Sequence, residues 1–557
     1  MTSPSFKPLS SSTGSITLDF LRVRELASVP TIPQLHTRWY SPLDFVSIRR
    51  TPEPPAFVPK DVERRVYDVG RDSELVGTIV MGSLDTGRRA LRPQPSMDWN
   101  DPLNWTGWQK YRTYLILCLF SFLAEANASK FVLATPLLEK EFEKSPMVVG
   151  YLTCFNLLAL GVANLFWVPL MRLFGKRPTL LLALPVFVAA NVWSAKTHHF
   201  YQLLASSVLS GFASAVAEAT VAAVVTDLFF VHERGAKLMV FHFALSCGSF
   251  LGPLISAYTI EYSTWRVGCE SLAIVAGALW IIAALSFQET TYRNRDVYAP
   301  VSSYGSRTTF AGKLSLLKGY DNHRDILPVF CYCIKMILYP SVLWTGLLVA
   351  TFSGWNAIVQ LKSYRYFSVS PYNHDTPLLG LFSISGFIGS VLAIPIGGKL
   401  IDILSNRFTT SHHGTREPEY RLYAFIIPAI IGPMGVLLFS FTIAEKRPWI
   451  QAAVGHSMEG FGLTAISNIA VTYIVDTYVE YAAEALTTVF VSKGAIGAVV
   501  VLYGDTWLRN SGEKQGFGQM VGVQYFLCLW TIVFLLWGKK IRAFTVRYGP
   551  VNRVEHS

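Results

Sequence analysis

Four ionisable side chains stand inside long stretches of apolar residues: Glu125, Glu218, Glu459 and Lys493. A charged group in such a stretch carries a large desolvation cost, so each is a candidate for carrying a proton or contacting a polar substrate. An unpaired ammonium would be costly, and we expect Lys493 to have a carboxylate partner, either Glu218 or Glu459. The structural alternative for a buried carboxyl is a hydrogen bond to a neighbouring helix.

Helical spacing places further small and polar residues beside these charges. Gly211, Ser214 and Glu218 recur at intervals of three and four residues, which predicts a polar face that lines water or substrate. Asn127 follows Glu125 by two residues, and both belong either to a cavity or to its outer mouth.

Two more groups of polar residues have open interpretations. His456 and Glu459 lie three apart on one helical face, where they could share a proton, although a buried histidine is often structural. Asn356 and Gln360, with Trp355 adjacent, form a polar and aromatic stripe that suits an amphiphilic substrate. The alternative for the stripe is that its amides join neighbouring helices.

About a dozen apolar stretches carry these residues, each roughly 17 to 25 residues long, whereas a bilayer core needs about 20 helical residues. Hydrophobic residues make up 51% of the chain, and strands of a barrel would be near ten residues and alternating. We therefore predict an all-α integral membrane protein with twelve transmembrane helices. The predicted spans are 113–133, 148–170, 179–195, 201–226, 238–259, 268–287, 341–361, 378–400, 422–443, 449–472, 483–504 and 520–538.

The polar gap from Gln288 to Pro340 divides the spans six and six. Within it, Ile326 to Leu338 reads as an interfacial helix, and residues 73–81 of the N-terminal region read as a short strand or helix. The predicted organisation is a mostly disordered cytosolic tail (1–107), a six-helix half (108–287), a cytosolic central loop (288–340), a second six-helix half (341–540) and a cytosolic tail (541–557).

The net charge of +11 is explained by membrane orientation and does not indicate a nucleic-acid partner, because the Lys and Arg residues collect in loops and tails. About 16 of them fall in loops on the predicted inner side and about 10 in the outer loops, which places both termini in the cytosol. We expect Lys130 to extend to the outer surface. The seven cysteines have neither disulfide nor metal-site spacing.

Two sequence patterns indicate moving parts. The loop after the second span, Val168 to Arg177, aligns without gaps with Gly398 to Arg407 after the eighth, as expected of a transporter built from repeats. In the fifth span Gly248, Gly252 and Ser256 recur every four residues and predict a close helix contact, which is either a packing seam or a surface that slides. Pro253 adds a kink.

These residues resemble the major facilitator superfamily, and within it the fungal twelve-span drug:proton antiporter group. The loop signature is matched by Leu170, Gly175, Lys176 and Arg177, and similar passages run from Asp227 to Gly235, through Trp265-Arg266, from Pro418 to Leu422 and from Tyr473 to Asp476. The resemblance implies the major facilitator fold and gating roles for the signature residues, for Asp227, Arg234, Gly248, Gly252 and Pro253, and for Asp402 and Arg407 in the repeated loop.

Three departures from the family pattern are informative. The acid of the first signature loop is Arg172 here, while the repeat keeps Asp402, so the first-half latch of the family is left open. Ser207 replaces a basic residue of the fourth span that the family links to proton coupling. Ser256 and Ala257 replace two glycines of the antiporter motif.

The resemblance and the intramembrane charges together predict a secondary transporter that exports small organic compounds, such as drugs, toxins or secondary metabolites, by proton-coupled alternating access. The alternatives are an uptake permease for organic cations such as polyamines and, less favoured, a membrane sensor that transports nothing. Because the sequence has no phosphate-binding loop or metal-spaced cluster, we expect no enzyme activity, no metal and no cofactor beyond the proton gradient. The expected partners are a small-molecule substrate and the lipid bilayer, for a monomer in the plasma membrane.

Overall fold

The computed structural model describes residues 77–80, 92–96, 98–292, 312, 314–315, 320, 326–370, 372–412 and 414–549, and helices dominate this part of the chain. The first seven helices are α1 Gly107–Ser129, α2 Thr135–Phe142, α3 Pro146–Phe174, α4 Lys176–Ala195, α5 Phe200–Leu228, α6 Arg234–Tyr262 and α7 Trp265–Ser286. The others are α8 Ile326–Lys335, α9 Pro340–Phe367, α10 Thr376–Ile394, α11 Ile401–Ser411, α12 Ile426–Ala444, α13 Trp449–Thr477, α14 Ala482–Ser511 and α15 Glu513–Tyr548. A π-helical turn, Pro395–Leu400, joins α10 to α11, and a 3₁₀ stretch, Pro418–Phe425, precedes α12.

The membrane-spanning character of the helices follows their composition. Among the described residues, eleven helical segments are long and apolar enough to cross a bilayer, and Ile326–Leu338 is a shorter apolar one. The twelfth predicted span lies on α1, whose last turns contain Glu125 and Asn127 and are therefore less apolar. The twelve-helix prediction is confirmed, and the polar end of α1 is part of the candidate site.

The helices pack in two groups that repeat each other. In the first half (α1 to α7), α1 packs on α6, α3 on α5 and α4 on α7. The corresponding pairs in the second half (α9 to α15) are α9 with α14, α10 with α13 and α12 with α15. Two matching pairs join the halves, α3 with α14 and α6 with α10, so the contacts agree with the internal repeat in the sequence.

The N-terminal region contributes one described strand. Ile79–Val80 (β1) pairs antiparallel with Thr415–Arg416 (β2) in the segment between α11 and α12, with Ile79 opposite Arg416. This strand lies within the predicted strand or helix at 73–81, of which residues 73–76 and 81 lie outside the described residues. The same holds for most of the 1–107 tail and of the central loop, and for residues 550–557.

Local sequence fixes where the helices begin and end near the site. Pro146 and Pro340 occupy the first turns of α3 and α9, where a missing N–H costs nothing. Gly175 ends α3 with a φ of 101°, a left-handed conformation that favours glycine. The chain can therefore turn directly from α3 into α4.

The glycine face of α6 is a close contact with α1. A Cβ atom added to Gly252 would lie 2.9 Å from the Cα of Ala126, and one added to Gly248 would lie 2.8 Å from the Cβ of Glu125. The Ser256 hydroxyl donates to the carbonyl oxygen of Lys130 at 2.6 Å. The predicted close packing is confirmed, and it fixes the height of Glu125 beside α6. Pro253 lies inside α6 and is buried.

We predict that Gly252→Leu lowers the melting temperature of the purified protein, because the side chain must push α1 away from α6 at a cost of about 1 to 3 kcal/mol. Gly277→Leu on α7 is the matched control, since a Cβ there meets no atom within 4 Å. Equal melting temperatures for the two variants and the wild type would contradict the assigned contact.

Candidate functional site

A charged triad joins the two halves in the middle of the helix bundle. The Lys493 ammonium on α14 lies 2.7 Å from a carboxylate oxygen of Glu218 on α5, and it also forms an ion pair with Glu125 on α1. The Glu218 side chain is fully buried, and those of Lys493 and Glu125 are 10% and 12% exposed. The prediction of a carboxylate partner is confirmed for Glu218, while Glu125 takes the place considered for Glu459.

The triad borders a cavity between the two halves. Its lining includes both charged groups Glu125 and Lys493 together with His242, Asn356 and Gln360. A second void shares Val132, Thr153 and Ala357 with the first and continues past the start of α3. We call this end of the bundle, where α1 ends and α3 begins, the open end.

The stripe on α9 is divided between two faces. Asn356 donates to the Ser249 hydroxyl at 3.2 Å and Gln360 to the Ser249 carbonyl at 3.3 Å, so both amides line the cavity and also join α9 to α6. The indole N–H of Trp355 instead donates to the Met520 carbonyl at 3.1 Å. One residue advances a helix by about 100°, which turns Trp355 away from the cavity and corrects its assignment to the pathway.

The polar face of α5 packs against α3 over most of its length, which corrects the expectation that it lines water or substrate. Gly211 lies against the Asn156 backbone, and Asn156 donates to the Ser207 carbonyl at 2.7 Å. The Ser214 hydroxyl donates to its own helix at the Ser210 carbonyl. Only the Glu218 end of this face reaches the triad.

Asn127 and Lys130 form a second buried polar contact on α1. The Lys130 ammonium donates to the side-chain oxygens of Asn127 at 2.9 Å and of Asn191 on α4 at 2.7 Å. Lys130 is 6% exposed, so the expectation that it extends to the outer surface is wrong. The amide of Asn191 satisfies the ammonium inside the bundle. Asn127 accepts from Lys130 and is not among the residues that line the cavity, which corrects its assignment to the pathway.

His456 and Glu459 on α13 have separate environments. The His456 ring stacks on Phe382, with centroids 5.1 Å apart, and its Nδ1 is 3.1 Å from the Ser385 hydroxyl. Glu459 is fully buried, and neither of its carboxyl oxygens has a hydrogen-bond partner among the described residues. The pair is therefore not joined by a hydrogen bond within the described part of the chain.

Charged contacts join the two halves at the opposite end of the bundle, where α3 ends and α6 begins. We call this end the closed end. Asp402 accepts the backbone N–H groups of Gly235 at 3.3 Å and Ala236 at 2.8 Å, so a second-half carboxylate binds the N-terminus of a first-half helix. Arg421 donates to Asp402 at 2.8 Å and to the carbonyl oxygen of Val231 at 3.1 Å. The helix dipole, the ion pair and the backbone hydrogen bond thus all hold the two halves together at this end.

Buried basic groups extend this contact across the halves. Arg234 lies 4.0 Å from Asp476, which also accepts from Arg421. Arg416 donates to the Val231 carbonyl at 3.3 Å. Burial, assisted by the neighbouring Arg421 cation, lowers the pKa of Arg416 to about 10, so it stays charged at neutral pH.

The first signature loop forms the matching contact with inverted charge. Arg172 donates to both carboxylate oxygens of Glu484, at 2.9 and 2.8 Å, and Glu484 lies in the first turn of α14. In the repeat alignment Arg172 corresponds to Asp402, and the start of α14 corresponds to the start of α6. The latch that the sequence left open is therefore present as an Arg172–Glu484 ion pair.

The other signature residues stabilise the closed end within the first half. Lys176 forms an ion pair with Asp227, and Arg177 donates to the Ala284 carbonyl at 2.8 Å. Leu170 is half-buried in the core. Arg407 is exposed, and no hydrogen bond or ion pair joins it to another residue in the described part of the chain, so its gating role stays a prediction.

Several site residues were missed by sequence reasoning. His242, Ser246 and Ser249 line the cavity from α6, whereas the glycine pattern marks the opposite face of this helix. Glu484 could have been found from the repeat, because an acid in the first turn of the eleventh span is placed to meet Arg172.

The family model described as Major Facilitator Superfamily matches residues 115–502. An MFS-type transporter of Schizosaccharomyces pombe, C1271.10c, is 24% identical over 83% of this chain and 89% of its own length. The citrinin biosynthesis cluster MFS transporter mrr1 of Monascus ruber is 23% identical over 81% of this chain and 90% of its own. The solved proton:xylose symporter XylE matches with a TM-score of 0.57, at 14% identity, over 77% of this chain and 97% of that one.

We predict that Glu484→Arg opens the closed end, because two guanidinium groups would then face each other, and lowers stability by about 2 kcal/mol. The double variant Arg172→Glu with Glu484→Arg restores both the contact at the closed end and the stability. The measurements are the melting temperature and the distance between spin labels on cysteines at Leu173 and Val479, which lie on opposite sides of this contact.

The control is Glu141→Arg, which breaks the Arg266–Glu141 pair within the first half at the open end and should leave the spin-label distance unchanged. An unchanged distance in Glu484→Arg as well would show that Arg172 and Glu484 do not hold the halves together.

Proposed function

The chain belongs to the Major Facilitator Superfamily, and on that premise we propose that it is a proton-coupled secondary transporter that exports small, partly apolar organic compounds by alternating access. The observation that carries the proposal is the triad, in which Lys493 of one half binds Glu125 and Glu218 of the other beside a central cavity. A charge contact between the moving halves can couple proton binding to their motion.

The coupling follows from electrostatics in a site with little water. When Glu218 is ionised, its attraction to Lys493 holds α5 against α14. Protonation of Glu218 removes that attraction and leaves Lys493 with Glu125 alone. The proton thereby changes the free energy of the contact between halves, which is the requirement for driving a conformational equilibrium.

The two ends of the bundle support an alternating-access cycle. The closed end carries inter-half contacts at Asp402 and at Arg172, whereas the open-end ion pairs Arg266–Glu141 and Lys362–Asp505 each lie within one half. The cavity also adjoins the void that reaches the open end, which supports access to the cavity from that side. If the closed end faces the cytosol, as the base count of the loops predicts, this conformation is the outward-facing one.

Export of organic compounds is favoured by the mixed lining and by one relative. Amides, hydroxyls and apolar side chains surround the cavity, which suits an amphiphilic molecule. The Monascus ruber relative is named for a citrinin biosynthesis cluster, in keeping with export of a secondary metabolite. We place the protein in the plasma membrane as a monomer with the proton gradient as its energy source and no further cofactor.

The second candidate is an uptake permease for organic cations. It is favoured by the excess of carboxylates, two against one ammonium, at the triad. The direction of net flux under an imposed gradient separates the two candidates, and a sensor would show no flux.

We predict that Glu218→Gln abolishes proton-driven flux while the protein still inserts, because the amide keeps the side-chain volume and cannot be ionised. Purified protein in liposomes is given an inward or outward pH gradient, and a pH-sensitive dye reports proton movement on addition of cationic, neutral and anionic amphiphiles. Glu459→Gln should reduce the flux less, since Glu459 contacts no charged partner among the described residues.

The Glu139→Gln variant on α2, away from the cavity lining, is the matched control and should transport normally. Wild-type rates in Glu218→Gln would remove this carboxyl from the coupling site and make Glu125 the leading candidate.

We predict that both termini and the loop between Gln288 and Pro340 lie in the cytosol. Single cysteines at Ser73, Ser303 and Ser557, in a background without native cysteine, should react with an impermeant thiol reagent only after the cells are permeabilised. A cysteine at Ser145, at the open end between α2 and α3, should react in intact cells. Labelling of position 303 from outside would reverse the assigned orientation of the first half.

A further inference from the structure

The charges at the triad do not balance. Lys493 brings one positive charge, whereas Glu125 and Glu218 bring two negative charges when both are ionised. The other titratable side chain of the cavity lining is His242 on α6, whose Nδ1 faces the Leu238 carbonyl at 3.0 Å. In a site with little water a net charge of −1 is costly, and a cation from outside the triad would lower that cost.

The two carboxylates differ in what they can reach. Glu125 lines the cavity, whereas Glu218 is fully buried behind Lys493 and is not part of the lining. One oxygen of Glu218 binds Lys493 at 2.7 Å, and the other, Oε2, has no hydrogen-bond partner among the described residues. Lys493 can therefore release Glu125 to the cavity and keep Glu218 as its own counter-ion.

We propose that the Lys493 ammonium occupies a subsite for organic ammonium ions, and that a substrate amine replaces it at Glu125. Lys493 then pairs with Glu218 and the substrate pairs with Glu125, so that each cation has one carboxylate. In the empty site one proton, held by the two carboxyl groups, supplies the missing positive charge. Binding of the amine as an ammonium ion releases that proton to water in the cavity.

The role of this subsite in transport rests on the proposed function, and the subsite is expected for either direction of flux. It makes the proton and the organic cation alternative occupants of one pair of carboxylates, which is the condition for exchanging one for the other. It also disfavours anionic substrates, because an anion that approached Lys493 would lie close to Glu125 and Glu218.

Three compounds with the same apolar body test the charge preference: 4-phenylbutylamine, 4-phenylbutanol and 4-phenylbutyrate. Their dissociation constants are measured by calorimetry on the purified full-length protein in lipid nanodiscs. We expect the amine to bind about tenfold more tightly than the alcohol, and the carboxylate to bind most weakly.

The variants separate the roles of the three residues. Glu125→Gln should weaken binding of the amine about tenfold and leave the alcohol unchanged, since only the amine uses the carboxylate. Lys493→Met should tighten binding of the amine about tenfold, because no internal ammonium competes for Glu125. Should Lys493→Met fold poorly with two unpaired carboxyls, the double variant Lys493→Met with Glu218→Gln is expected to show the same tightening.

Lys362→Met is the matched control. Lys362 is another buried lysine with a carboxylate partner, Asp505, at 2.7 Å, but it does not line the cavity. The ratio of amine to alcohol affinity should be unchanged in this variant.

Proton release gives an independent measurement. Calorimetry in buffers of different ionisation enthalpy should give close to one proton released per amine bound by the wild type and none in Glu218→Gln. Equal affinities for amine and alcohol, an unchanged preference in Lys493→Met, or no proton release would each overturn the inference. Loss of gradient-driven flux with an intact charge preference would instead contradict only the proposed transport function.

Discussion

The cost of burying an ammonium ion away from water governs the centre of this protein. Lys493 lies in the middle of α14, and a lone charge there would be strongly unfavourable. Its counter-ions come from α1 and α5 of the other half, so the two halves are joined by an interaction whose strength depends on protonation. The cavity, the glycine contact that positions Glu125 and the burial of Glu218 all serve this one electrostatic requirement.

Much of the fold could be predicted from the sequence, because the bilayer requires long apolar helices and these are visible residue by residue. The close face of α6 was also predictable, since Gly248 and Gly252 recur at the spacing of one helical surface. The need of Lys493 for a carboxylate followed from its burial. These inferences depend on helix periodicity and on the cost of desolvating a charge, and both follow from the types of residues and their spacing.

What the sequence could not provide is the rotation of each helix about its axis and its height relative to its neighbours. Trp355 lies one residue from Asn356, and a rotation of about 100° separates the face that packs on α15 from the face that lines the cavity. The sequence allows Glu125 to lie either in the cavity or at its outer mouth, and it allows Glu459 to be the partner of Lys493. The depth of a residue along its span does not identify which helix faces it. The burial of Lys130 could not be predicted, because its partner Asn191 belongs to another helix and lies 61 residues away in the sequence.

The position of charged contacts within the repeat matters more here than the sign of each charge. Asp402 binds the start of α6 through backbone N–H groups, while Arg172 binds the start of α14 through an acid in its first turn. The latch and the triad share one helix, because α14 carries both Glu484 and Lys493, and α14 also packs closely on α3 next to Lys493. A Cβ added to Gly161 would lie 2.9 Å from the Cα of Gly494, which immediately follows Lys493. Glu484 and Lys493 are nine residues apart on α14, or roughly 14 Å at the helical rise. Because Glu484 and Lys493 belong to one continuous helix, a movement of α14 relative to α3 and α5 would change the distances at the latch and at the triad together.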